Sequence, residues 1–183
     1  MYSRSSEPVT FERDCAAVMV PQGDEVVLPA GAVGYITQAL GGSFTVFVEG
    51  NLFRIAGEDA DAIGKETPEP LRVSDDATDA DIEALAWQQM RTCFDPEIPI
   101  NIVDLGLVYG CEVIHGEDGT RRIEAKITLT APGCGMGEIL AQDVRSKLEM
   151  IPTVIEADVD VVFDPPWNQT MMTEAARLET GMW

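Results

Sequence analysis

From Arg121 to Phe163 the sequence alternates, turns helical, then alternates again, and this constrains the fold more tightly than anything else in the chain. Arg121–Thr130 sets Ile123, Ala125, Ile127 and Leu129 against Arg122, Glu124 and Lys126, the period-two pattern of a strand with one buried face. Met136–Met150 carries Met136, Ile139, Leu140, Val144 and Leu148 at helical spacing. Val154–Phe163 alternates again, with Ile155, Ala157, Val159, Val161 and Phe163 predicted inward and Glu156, Asp158 and Asp160 outward. A strand–helix–strand crossover within one sheet makes its two strands parallel. Both then finish at the same end. The TAPGC run after the first and Asp164-Pro165-Pro166-Trp167 after the second are predicted to meet there, at the carboxyl ends where α/β folds build their sites.

The residues before this unit extend it. Leu107–Ile114 reads as a strand with Leu107, Tyr109, Cys111 and Val113 on one face, and HGEDGT is the turn of an antiparallel hairpin. Two prolines in DPEIPINIVD forbid a helix there, so Asp95–Asp104 is predicted to be an ordered loop that ends beside the TAPGC run. Upstream, Thr78 caps a helix whose Asp79 and Asp81 suit the positive end of its dipole, with Ile82, Leu85, Ala86, Met90 and Cys93 on one face. A short helix is predicted around Thr173–Glu179. The architecture expected is α-β-β-α-β-α, two layers over a small mixed sheet, across residues 78–183. His115 falls at the hairpin tip, about ten strand residues or roughly 30 Å from Thr130. A Cys–His nucleophilic pair within one chain is excluded on that geometry.

Residues 1–66 read differently, as a small all-β, barrel-like or curled-sheet domain. Strands are predicted at Ala16–Pro21, Val33–Gln38, Ser43–Val48 and Leu52–Ile55, with Gly41-Gly42 and Gly50-Asn51 as hairpin turns. Residues 67–77, proline-bearing and without period, are predicted to be a linker. Cys15 is the only candidate ligand of the first domain, which is expected to dock a partner or the second domain rather than carry chemistry.

Composition excludes several functions. A net charge of −20 argues against nucleic acid and against anionic membrane surfaces. No apolar run approaches the roughly 18 residues of a membrane span, and MYSRSSEPVTFERD has no secretion-type apolar core, so the cytoplasm is the expected compartment. Cys15, Cys93, Cys111 and Cys134 form neither a C-x-x-C pair nor a zinc spacing, and His115 is the sole histidine. Gly57 to Glu66 fails as a P-loop because Glu66 stands where a Ser or Thr would hold magnesium. Cys93 and Cys111 are predicted to be packing residues, whereas the strand-edge position of Cys15 leaves both packing and exposure open.

Cys134 is set apart by Gly133 and Gly135, just before the predicted helix. Unpaired N–H groups and the helix dipole stabilise a thiolate at such a position. A half-buried cysteine at a tight turn is the competing reading.

DPEIPINIVDLGLVYG, TLTAPGCGMG and VVFDPPWNQTMMTEAARLETGM, in this order and spacing, resemble the SufT family of iron–sulfur cluster assembly proteins over about residues 78–182. VPQGDEVVLPAG and GYITQALGGSFTVFV are similar to the N-terminal extension of that type. The resemblance implies a maturation factor of the SUF pathway rather than an enzyme, with iron–sulfur carrier or scaffold proteins and apo-protein clients as partners. It implies that the functional thiol is Cys134 and that Glu97, Asp104 and Thr130 are its supporting positions; the crossover adds Asp164. Relatives fused to P-loop ATPases exist, but this chain has no P-loop, so nucleotide hydrolysis is not carried over. Nor does its tail, ARLETGMW, have the cysteines of the relative that serves a phenylacetyl-CoA oxygenase. A thiol enzyme that moves sulfur or persulfide, and a structural adaptor, are the alternatives. A stable cluster takes about four protein ligands. One accessible thiol predicts no stably bound cofactor, and at most a transient iron–sulfur cluster held by Cys134 together with a partner or with the second chain of a homodimer.

Overall fold

The computed structural model describes residues 6–40, 42–95, 98–131 and 137–181. The chain divides into two compact units, Met1–Glu69 and Pro70–Trp183.

The first unit is one antiparallel sheet of six strands: β1 (Glu7–Thr10), β2 (Cys15–Val20), β3 (Glu25–Leu28), β4 (Val33–Leu40), β5 (Ser43–Val48) and β6 (Asn51–Ile55). Their order is β1-β4-β5-β6-β2-β3, which makes β1 and β3 the outer strands. Phe11, Cys15, Val46 and Ile55 are fully buried beneath it, and a 3-10 helix, Gly57–Ile63, adds Ala62 and Ile63 to the same core. β1, β3 and this helix were not predicted. Pro8 sits in β1, and a proline within a sheet is confined to edge positions because it has no N–H to give the ladder. The turn between β5 and β6 is Glu49-Gly50, one residue earlier than predicted. Both residues have positive φ, 47° and 90°, as a two-residue hairpin turn of this hand requires. Of the two settings open to Cys15, the structure has the buried one, because its side chain faces the core.

The second unit has helix α1 (Asp79–Met90), strands β7 (Val108–His115) and β8 (Arg121–Ile127), helix α2 (Gly137–Glu149), strand β9 (Val154–Val161) and helix α3 (Glu174–Thr180). The sheet order is β7-β8-β9, with β7 antiparallel and β9 parallel to the central β8. The predicted mixed sheet and crossover are present. Thr78 caps α1: its hydroxyl accepts from the Asp81 N–H, and the Asp81 carboxylate accepts from the Thr78 N–H. Ile82, Met90 and Cys93 pack with Ile123, Ile127, Leu140, Val144 and Leu148 in one core. Leu71, Val73 and Ala77 also pack on it, so this part of the expected linker contributes to the second unit.

Two strand faces differ from the sequence reading, for one reason. Val108 pairs with Ile127 and Gly110 with Lys126, so Tyr109 is an extra residue in β7. Arg121 pairs with Val154 and Arg122 with Glu156, so Ile155 is an extra residue in β9. Each bulge resets the period-two alternation. Tyr109 therefore leaves the face it would share with Cys111 and Val113. Val154 is buried in place of Ile155, which is 69% exposed. Phe163, predicted inward, lies beyond the end of β9 and is exposed.

Candidate functional site

β8 and β9 end side by side. The Val162 N–H donates to the Ile127 carbonyl and the Thr128 N–H to the Leu107 carbonyl, each at 2.8 Å. The loop before β7 and the chain leaving β8 and β9 therefore share one edge of the sheet.

At that edge Asp104 is held from several sides. Its carboxylate accepts from Arg91 Nη1 at 3.0 Å and from Asn101 Nδ2 at 2.7 Å, while its own N–H donates to Asn101 Oδ1 at 2.9 Å. Its carbonyl accepts from the Thr173 N–H, at the start of α3. The next residues are tied to the segment after β9. Trp167 Nε1 donates to the Leu105 carbonyl at 2.7 Å, and the Tyr109 hydroxyl donates to the Pro165 carbonyl at 2.7 Å. Gly106 has φ +75°, and a Cβ there would lie 2.2 Å from the Met171 carbonyl oxygen. Only glycine combines that backbone with that approach.

Asp164 lines a shallow depression of about 690 Å³ at this edge, together with Lys126, Tyr109 and Met171. Among the described residues neither Asp164 nor Lys126 has an ion-pair partner, so the two opposite charges face one depression without meeting. Thr130 is half-buried at the same edge. Thr128 is 1% exposed, and its hydroxyl has no hydrogen-bond partner among the described residues. Asp95 is buried and accepts from the Ile98 N–H at 3.0 Å.

The structure thus brings Asp104, Thr130 and Asp164 to one edge. His115 pairs with Arg121 at the far end of β7, where its Nδ1 lies 3.0 Å from Asp79 Oδ1. Glu97 and Cys134 lie outside the described residues, as do Met136, Met182 and Trp183. Cys134 falls in the stretch between Ala131, after β8, and Gly137, the first residue of α2.

The other three cysteines are set in or against the two cores. Burial pushes the Cys15 thiol up to about 11, with Asp59 adding to the effect. Burial likewise pushes Cys111 up to about 11, helped by Glu83. Cys93 is fully buried, and its S–H donates to the Gln89 carbonyl. Among the described residues no three His, Cys, Asp or Glu side chains are grouped to hold a metal ion, and no helix is long and apolar enough to cross a membrane.

Sequence reasoning missed Arg91, Asn101, Tyr109 and Lys126 as parts of this edge. Asn101 was detectable: an Asn three residues before an Asp, in a proline-bearing loop, is a pattern for a side chain that bonds local backbone. Tyr109 carried no such signal, because a bulge leaves no mark on the alternation it interrupts.

Residues 83–160, within the second unit, match the family described as iron–sulfur cluster assembly protein. A Porphyromonas gingivalis protein, "Fe-S protein maturation auxiliary factor", is 44% identical over 94 residues, 51% of this chain and 86% of that protein. "Fe-S protein maturation auxiliary factor SufT" of Staphylococcus aureus is 38% identical over 88 residues, 48% of this chain and 96% of that protein. "Fe-S protein maturation auxiliary factor YitW" of Bacillus subtilis is also 38% identical over 88 residues, 48% of this chain and 82% of that protein. The chain belongs to the SufT family of iron–sulfur cluster assembly proteins.

Proposed function

We propose that this chain is a non-enzymatic maturation factor that assists delivery of iron–sulfur units to apo-proteins in the cytoplasm, with Cys134 as its working thiol. The observation that carries the reading is the fate of the other cysteines. Cys15 and Cys93 are fully buried, and burial keeps Cys15 and Cys111 protonated at neutral pH. Thiolate chemistry then falls to Cys134, in the stretch that follows the carboxyl end of β8. Asp104, Thr130 and Asp164 support this edge, and Glu97 joins them by its place in the motif. The names of the relatives, all Fe–S maturation auxiliary factors, agree with this role.

The iron–sulfur unit is cargo. Four ligands are the usual requirement of a stable cluster, and one thiolate per chain leaves the rest to a second copy, a carrier or a client. Such a cluster is labile, which suits a protein that passes it on. The test is anaerobic reconstitution with iron and sulfide, followed by transfer to an apo-protein with a four-cysteine site. Wild type is expected to hold a substoichiometric, chelator-sensitive cluster and to speed transfer. Cys134→Ser should abolish both without unfolding the chain. A Cys134→Ser protein that binds and transfers like wild type refutes the assignment.

A further inference from the structure

The two outer strands of the first unit's sheet differ in what their margins offer. The Met19 N–H donates to the Asp24 carbonyl at 2.8 Å, and the register then sets Ala17 against Val26 and Cys15 against Leu28. In an antiparallel pair, residues that exchange hydrogen bonds alternate with residues that do not. Asp24, Val26 and Leu28 therefore turn their backbone groups to β2, and Glu25 and Val27 turn theirs outward. No described residue bonds these outward N–H and C=O groups. Both residues are exposed, Val27 at 66%. The opposite margin is closed to the same use. The Phe11 N–H donates to the Ala32 carbonyl, so the same alternation turns Val9 to β4 and Pro8 and Thr10 outward. Pro8 has no N–H to give, and Glu7 beside it is held by Lys65.

Unpaired backbone groups at strand spacing are met by an extended backbone, so the occupant of the β3 margin is a strand. Size and charge indicate its source. Two folded proteins need about 1,200 Å² of buried surface to stay together, more than a pairing along one four-residue strand supplies. A second copy also fits badly. Symmetric pairing about Glu25 sets like charges opposite one another, and pairing about Val27 sets Glu25 against Pro29, which has no N–H. Pairing about Val26 leaves Glu25 without a cation between two chains of net charge −20. An extended segment of an unfolded polypeptide brings no second folded surface. Glu25 has no side-chain bond or ion pair among the described residues; Arg54, in the same cross-strand row, lies beyond Val18 and donates to the Ser43 hydroxyl. A Lys or Arg opposite Glu25 and a β-branched residue opposite Val27 complete the pairing.

We infer that β3 takes up an extended, unfolded segment of another polypeptide as a seventh strand of the first unit's sheet. That apo-proteins supply such segments rests on the function proposed above; the pairing itself does not depend on Cys134. The test uses the full chain and a labelled peptide of about eight residues, in which Thr alternates with Val and Lys. Two isomers carry backbone N-methyl groups, one on the Val and Lys residues and one on the Thr residues. The unmodified peptide and the Thr-methylated isomer are expected to bind, and methylation at Val and Lys to weaken binding by about tenfold or more, because it removes the N–H groups that face β3. Val27→Pro should weaken the unmodified peptide as much. Its N–H points away from β2, so the sheet should survive, with circular dichroism as the check. Glu25→Lys should reverse the preference, toward a peptide with Glu in place of Lys. Equal binding of the two methylated isomers, or of the unmodified peptide to wild type and a folded Val27→Pro, would overturn the inference. A wild-type dimer in sedimentation that Val27→Pro disperses would put a second copy at this margin and overturn it too. Cluster loading of Cys134→Ser is a separate measurement on a separate variant, so failure of either idea leaves the other readable.

Discussion

Arg121 Nε lies 2.6 Å from Asp79 Oδ1, and this pair joins the first strand residue of β8 to the first turn of α1. The arginine side chain is 8% exposed. Its other nitrogens donate to Thr153 Oγ1 at 2.9 Å and to the Ala77 carbonyl at 2.7 Å. Thr153 is a β-branched residue at φ 78°, a conformation that persists only where its surroundings impose it. Arg121→Met should therefore lose bonds to Thr153 and Ala77 together and lower stability by about 2–3 kcal/mol. Urea unfolding measures it, and a change within about 0.5 kcal/mol would show the pocket to be indifferent to the charge.

The same pair sets an acid limb. The Arg121 hydrogen bond, then that of His115, holds the Asp79 carboxyl below its usual range. A depressed carboxyl contributes stability above its unfolded value, about 3.9, and loses it as pH falls through the lower folded value. Stability of Asp79→Asn should thus fall less steeply than wild type below about pH 4. Parallel curves would remove Asp79 from the acid response.

At the alkaline end the sign reverses. Cys15 and Cys111 are both raised to about 11, so their neutral forms contribute stability that is complete below the ordinary thiol value and is lost as pH rises through about 11. Cys15→Ala and Cys111→Ala should each flatten the decline of the urea midpoint above about pH 9. At pH 8, limited iodoacetamide should label Cys134 before buried Cys15 and Cys93 and half-buried Cys111; faster labelling of any of these three would contradict the order.

Asp104 and His115 provide a matched pair of substitutions. Asp104→Ala releases Arg91 and Asn101 at the candidate edge, whereas His115→Ala acts at the far end of β7. The alkylation rate of Cys134 and cluster transfer should change several-fold in Asp104→Ala and stay near wild type in His115→Ala. Equal effects would dissolve the distinction between the two ends.

The seam between the loop before β7 and the segment after β9 can be opened by degrees. Tyr109→Phe removes the hydroxyl that donates to the Pro165 carbonyl and has Met171 Sδ as its weaker second partner at 3.5 Å, and should cost about 1 kcal/mol. Gly106→Ala drives a methyl into the Met171 carbonyl at positive φ and should cost more than about 2 kcal/mol. The reverse order would mean that the hydroxyl, not the close backbone approach, holds the seam.

Much of this was legible in the chain's periodicities. The crossover from Arg121 to Phe163 fixed which loops meet, and Thr78 and Asp81 announced the start of α1. What periodicity conceals is an interruption of itself. Tyr109 and Ile155 both read as members of a regular face, and each is the residue by which that face is broken. Arg121 was invisible for another reason: an arginine at the start of an alternating run reads as a solvent residue until Asp79, 42 positions away, is brought beside it. In the first unit the short β1 and β3 carry too few residues for alternation to stand out.

The two bulges also bear on association. β7 and β9 are the outer strands of the three-stranded sheet, and each has one surplus residue. A foreign strand can extend a sheet only where the outer backbone offers evenly spaced N–H and C=O groups, and a surplus residue breaks that spacing. Neither margin of the second unit presents an uninterrupted template along its whole length. Each margin is in this way guarded against chance pairing with a strand of another chain.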